Sequence, residues 1–383
     1  MKNYTKEELK AVYSARKEKL FAYMKENNVN AVVFEDCEER RNPAVRYFTG
    51  HPSDALFIAS SDGKNVLVPW DENLAKEQSV DVKIIPYNKY DRKNTKTVKE
   101  VLKSFRIKEQ KKKVELPPVT PYPLFLKYID ALTGDDWDVL CREKSTHDYV
   151  TDLRSVKDGY EIECTKEAAC VGDIIISEIE RGLRENWLHK ECDVALLIES
   201  ELRKHGCERT GFDTLAAGPS RSWAIHAFPG YTNADWPADG LSILDFGVVY
   251  KGYTSDTTLT VAKNLTPKQN ELVELVEKAA RESLEFYKPG SQIKKAGETA
   301  DLVFKKAGRT MPHTLGHGIG LEIHEFPRIS AKQPEELLFK PGMIITLEPG
   351  LYDPELGGVR LENDVLITES GNEVITHSKI IRI

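Results

Sequence analysis

The stretch that decides the reading runs from Leu241 to Lys263, LSILDFGVVYKGYTSDTTLTVAK. Two runs rich in β-branched and apolar residues flank Tyr250, Lys251 and Gly252, the mark of two antiparallel strands joined by a tight turn. Asp245 stands five residues before Tyr250 and Asp256 five after Lys251, so a turn on those two residues sets the aspartates nearly opposite, side chains ~5 Å apart. Leu241, Ile243, Leu244 and Phe246 supply apolar neighbours on both strand faces, and Asp245 is expected to be buried. Two buried carboxylates face to face repel unless a cation lies between them. The bland alternative is a solvated acidic pair at a hairpin edge. Asp245-Phe246-Gly247 also spells a kinase metal-binding triplet, but no H-R-D loop or glycine-rich nucleotide loop accompanies it.

Further along, Pro312 to Glu325 reads PHTLGHGIGLEIHE and holds His313, His317 and His324, three of the nine histidines. The spacing of His313 and His317 would suit a helical zinc pair. Gly316, Gly318 and Gly320 argue against a helix and for an irregular strand that backbone or substrate can approach closely. The glycines fit no phosphate-binding loop. Met343 to Glu348 is an apolar strand run that ends on a carboxylate beside the Pro349-Gly350 turn. Val359 to Ile367, VRLENDVLI, alternates so that Arg360, Glu362 and Asp364 share one face, although a polar-faced edge strand would look the same. Together these segments offer one imidazole and four carboxylates. Four negative charges balance two divalent ions, and oxygen-rich coordination with one imidazole suits manganese, cobalt, iron or zinc in a working site better than a structural zinc.

The rest of the chain frames this cluster. At 383 residues it is long enough for two or three domains. Thr5 and Glu8 form a capping box for a helix to about Lys25. Strand-like runs at Ala31–Phe34, Ala55–Ala59, Val66–Trp70 and Val82–Tyr87 then interleave with helical patterns at Val98–Phe105 and Pro121–Leu132, which predicts an α/β domain over residues 1–150. A second unit, 151–383, opens with helices over Tyr160–Leu183 and Glu191–His205, and Thr266-Pro267 starts another towards Tyr287. The 54 basic against 61 acidic residues give a net charge of −7 without a basic tract, which sets nucleic acid aside as a partner. No run approaches a membrane span and no signal-peptide core is visible, so a cytoplasmic location is expected. Six scattered cysteines without a C-x-x-C pair make neither a disulfide framework nor a zinc ribbon, and each is expected to be buried or half-buried.

The order Asp245, Asp256, then H-x-x-x-H-G-x-G, then E-P-G at Glu348, then R-x-E at Glu362 resembles the pita-bread metallopeptidases, and most of all their Xaa-Pro aminopeptidase and prolidase group. The resemblance covers both halves and implies an α/β N-terminal domain, creatinase-N-like, followed by an α+β pita-bread catalytic domain. It further implies that Asp245 holds one metal, Asp256 and Glu362 bridge two, and His317 with Glu348 hold the other. Glu348 would be the general base, His324 would meet the oxygen that gains charge, His226 would contact substrate or the departing nitrogen, and Arg360 would orient Glu362. The commonest pattern differs at Asn363, where an acid is frequent, and at Trp223–Ala227 (WAIHA), where Pro-His is more usual. The implied cofactor is a pair of divalent ions, manganese first, and the implied substrate is a short peptide with proline second. Nothing votes for strict dipeptides, and the reading leans to broader aminopeptidase activity. Two rivals share the scaffold: a non-peptide C–N amidohydrolase like the creatinase branch, which works without metal, and a silent binding protein, which would have lost ligands. His313 reads as structural, and a homodimer is left open.

Overall fold

The computed structural model describes residues 4–383. Two compact units divide between Leu153 and Arg154. In the first, Thr5 and Glu8 cap the helix Lys6–Glu26 reciprocally, as the capping box predicts. A six-stranded sheet follows in the order Lys83–Ile84, Asn65–Pro69, Ala55–Ser60, Ala31–Asp36, Lys112–Glu115 and Trp137–Leu140, mixed parallel and antiparallel. The helices Asn94–Phe105 and Tyr122–Leu132 press Val98, Val101 and Tyr128 against Val33, Leu56 and Ile58 in its core. The run expected over Val82–Tyr87 pairs only at Lys83–Ile84 and then turns.

In the second unit the helices Gly159–Arg184 and Glu191–Lys204 cover one face of a sheet ordered Ile380–Arg382, Thr257–Lys263, Gly240–Phe246, Leu215–Ala217. Leu244, Phe246, Leu259 and Val261 point towards these helices. The period of two then sends Asp245 and Thr258 to the opposite face. Helices Pro267–Leu284 and Ile293–Lys306 pack on a separate core with Leu347, Val359 and Val365. The second of these escapes a propensity reading because Gly297 interrupts it. A Cβ there would lie 2.5 Å from the Ala331 nitrogen, so close packing requires the glycine.

The hairpin differs from its expected register. Lys251 (φ 48°) and Gly252 (φ 88°) are the two turn residues, so Tyr250 pairs with Tyr253 and Asp245 falls opposite Thr258, not Asp256. Positive φ at both central positions is what a two-residue hairpin turn of right-handed strands requires, and Gly252 meets it where Tyr250 would not. Asp256 instead occupies the break between the strands Tyr253–Thr254 and Thr257–Lys263. Both aspartates are 5% exposed, which removes the solvated-pair alternative.

Another sheet runs Glu325–Ile329, Gly316–Gly318, Ile344–Leu347, Asn363–Ile367, Asn372–Val374. The glycine-rich histidine segment is thus a short strand, with an irregularity between His317 and Gly318. VRLENDVLI is not an edge strand. It breaks at Leu361–Glu362, where the chain leaves the ribbon Gly350–Asp353/Gly357–Arg360 and enters the interior of this sheet. Glu362 bridges to Thr258 at the break and ties the two sheets together. Five of the cysteines are buried or half-buried as expected, but Cys170 is exposed. No described helix is long and apolar enough to cross a membrane.

Candidate metal centre

All five expected ligands meet where these two sheets face each other. His317 Nε2 lies 3.6 Å from Asp256 Oδ2 and 3.4 Å from Glu348 Oε1. Asp256, His317 and Glu362 each offer a ligand atom within 4.8 Å of the others. Asp245 reaches the same cavity from the strand beside Thr258.

The surroundings aim these groups. The Gly318 carbonyl, 3.1 Å away, accepts from His317 Nδ1, which leaves the Nε2 lone pair facing the carboxylates. Thr346 Oγ1 accepts the His317 backbone N–H at 3.1 Å, and Thr258 Oγ1 donates to Glu362 at 2.6 Å. Asp364 accepts the backbone N–H of Asp256 at 3.0 Å. Arg360 is buried and all three of its guanidinium nitrogens are engaged, donating to Asp245, to Thr258 Oγ1 (2.9 Å), to the Ile225 carbonyl (3.0 Å) and to Tyr352 (2.8 Å). Its Nε stays 3.9 Å from Glu362, so the direct partner of Arg360 is Asp245 and its link to Glu362 runs through Thr258.

The charge balance is lopsided. Burial first, then repulsion among neighbouring acids, pushes Asp256 and Glu348 well above the usual carboxylate range and Glu362 to about 7. Burial holds His317 down at about 4, so it is neutral and able to ligate. Asp245 Oδ1 is buried without a hydrogen-bond partner. Four carboxylates, one guanidinium, an imidazole lone pair and an orphaned oxygen make a site that fits divalent cations and is strained without them.

The site opens into a cavity of about 480 Å3 with apolar walls that include Phe212, Leu215, Ile225, Phe228 and Ile323. His324 lines it, its ring edge-on to His317 at 4.4 Å. His226 lines it too, on an exposed loop. His313 turns away. Its Nδ1 donates to the Thr314 carbonyl at 2.8 Å, and its Nε2 accepts from Tyr352, which in turn accepts from Arg360. Three residues that sequence reasoning did not single out matter here. Thr258 and Tyr352 carry no signal of their own, whereas Arg328, which lines the cavity and forms no ion pair among the described residues, follows His324 by four positions on a short strand.

The chain is similar to known proteins along nearly its whole length. A model of the creatinase/prolidase N-terminal domain matches residues 16–134. The Xaa-Pro dipeptidase of Pyrococcus furiosus is 33% identical over 374 residues, covering 95% of this chain and 98% of its own length. Solved structures with the same fold include an Xaa-Pro dipeptidase from Bacillus anthracis (TM-score 0.82, 27% identity, 97% of this chain and 100% of that one). An X-Pro aminopeptidase from Thermotoga maritima is similarly close (TM-score 0.80, 26% identity, 96% and 99%). A model of metallopeptidase family M24 matches residues 163–369, which span the whole ligand cluster, and the chain belongs to that family.

Proposed function

We propose that this protein is a dinuclear-metal Xaa-Pro dipeptidase that hydrolyses the bond before the proline nitrogen. The observation that carries the reading is the pairing, in one cavity, of the acidic ligand cluster with Arg328, a cation left free for a substrate carboxylate. Arg360, the other guanidinium lining the cavity, is already committed to Asp245, Thr258, Tyr352 and the Ile225 carbonyl. Arg328 therefore favours dipeptides over the broader aminopeptidase activity expected from sequence. The names of the Pyrococcus furiosus and Bacillus anthracis relatives point the same way.

In this reading Asp245, Asp256, His317, Glu348 and Glu362 would together hold the two ions. The donor set suits manganese first, then cobalt, zinc or iron. Bound divalent ions would supply Lewis acidity and ease deprotonation of water. Glu348 takes the proton of the attacking water on its carboxylate. His324 donates to the oxygen that becomes negative as the carbonyl turns tetrahedral. His226 delivers a proton to the proline nitrogen, which leaves as a basic secondary amine. Arg360 fixes Asp245 so that its second oxygen stays presented to the cavity.

A hydrolysis screen with added Mn2+, Co2+ or Zn2+ tests the proposal. Ala-Pro should be cleaved fastest, Ala-Pro-Ala more slowly and Ala-Ala least. Equal rates on Ala-Ala and Ala-Pro would replace it with a general aminopeptidase or a non-peptide amidohydrolase.

A further inference from the structure

His324 is carried by an irregular segment, residues 319–324, that contains Gly320 and precedes the strand Glu325–Ile329. Such a segment needs an anchor if one of its side chains is to stay in place. The backbone supplies only part of it, through Ile319 N–H to Ile344 (3.1 Å), Thr254 N–H to Gly320 (2.9 Å) and Gly320 N–H to Glu322 (3.0 Å). None of these bonds involves His324.

The neighbouring Glu325 carboxylate is tucked beneath the segment. It accepts the Glu322 backbone N–H at 3.2 Å, and it sits so close to Gly320 that a Cβ there would be 2.7 Å from its oxygens. Two buried cations converge on it: Arg154 Nη2, which also holds Glu322 at 2.9 Å, and Lys157 Nζ at 3.1 Å. Arg154, Lys157 and Glu325 have side chains 6%, 0% and 4% exposed, so the cluster is sealed from water. Burial alone would favour the neutral acid, yet the two cations hold Glu325 at about 2. A buried ion cluster costs desolvation energy that a well-packed apolar cluster would avoid, and what it offers in return is fixed geometry.

We propose that Glu325, clamped by Arg154 and Lys157, is a positioning residue that holds His324 in the cavity over the carboxylate cluster. It touches neither substrate nor ligand atoms and acts through the one peptide bond that joins it to His324. The inference rests on the dipeptidase reading for its kinetic consequence but not for its structural one.

The test is Glu325→Asp, which keeps the charge but withdraws the carboxylate by roughly 1.5 Å, one carbon–carbon bond, so that it cannot meet both cations and the Glu322 N–H. In the metal-loaded enzyme, kcat for Ala-Pro should fall by about tenfold while KM and metal content stay near wild type. In a His324→Ala background the same change should cost less than about twofold, because the residue it positions is already gone. Arg154→Lys, which keeps the charge but withdraws the shorter side chain's donor from the place where Nη2 meets both Glu322 and Glu325, should give a smaller fall. Equal losses in both backgrounds, or no loss in either, would overturn the proposal. Hydrogen exchange gives a readout that needs no substrate. In Glu325→Asp the amides of residues 320–324 should exchange at least about tenfold faster with the rest of the second unit unchanged. Unchanged exchange there, or a uniform rise across the unit, would overturn it as well. If the wild type cleaves no Xaa-Pro peptide, the dipeptidase reading fails and the exchange result still decides whether Glu325 pins the segment.

Discussion

Two clusters of buried acids lie in the second unit, and the same kind of side chain behaves in opposite ways in them. Around Asp256, acids outnumber cations, and Asp256, Glu348 and Glu362 all bind protons more tightly than free carboxylates do. Around Glu325, two cations meet one central acid, and its proton is lost far more readily. Asp256, Glu362 and Glu325 are all buried. The difference is the local charge balance. A cluster balanced by its own chain is architecture, whereas one left negative has room for something the chain does not provide.

The largest expected effect follows from removing an acid from the unbalanced cluster. Asp256→Asn should abolish turnover and lower metal content measured by atomic emission, since Asp256 faces His317 and Glu362 alike. Full activity after exhaustive chelation would break the comparison, because the site would then need no added charge. Next comes His324, which lies between the clusters and belongs to neither. His324→Ala should lower kcat about 100-fold, the effect of losing one oxyanion donor, with metal stoichiometry intact. A lost ion in that variant would make His324 a ligand. Smaller still is Arg328→Gln, where KM for Ala-Pro should rise about tenfold, in line with loss of one charge-assisted hydrogen bond, with little change for Ala-Pro amide. Equal KM increases for both substrates would show that Arg328 does not read the carboxylate.

How much of this the sequence discloses depends on how local each signal is. The five ligands are legible because each sits on a strand or at the break or end of one, and because a carboxylate amid apolar neighbours is conspicuous. Helices with side-chain caps, at Thr5 and Thr266, are legible for the same reason. The helix Ile293–Lys306 has no side-chain cap and carries a glycine placed there for packing, so its local signals mislead. The pairing of Asp245 was misplaced by a turn shifted one residue, which moves the partner from position 256 to 258. The Arg154–Glu325 clamp is invisible for a deeper reason. Arg154 meets an acid 171 positions away, and nothing in either neighbourhood announces the other.

The smallest predicted effect concerns stability against pH, and here the two clusters should separate cleanly. Glu325 has a folded value of about 2, below its ordinary 4.5. Its contribution is therefore fully present above pH 4.5 and is lost as pH falls towards 2, whether or not metal is bound. Glu362 in metal-free protein has a folded value of about 7, above the same reference. Its contribution is present below pH 4.5 and is lost as pH rises through 7, because the folded state then forfeits a proton it binds more tightly than the unfolded chain does. Bound cations take the place of that proton, so the loss should vanish in the loaded enzyme. Thermal melts of chelated protein should accordingly drop by several degrees between pH 5 and 8, while melts with Mn2+ stay level. Below pH 4.5 both forms should weaken together, and Glu325→Gln should flatten that acid limb from a lower starting point. If chelated and loaded protein lost stability in parallel between pH 5 and 8, the excess negative charge around Asp256 would not be what the cations relieve, and the contrast between the clusters would fall with it.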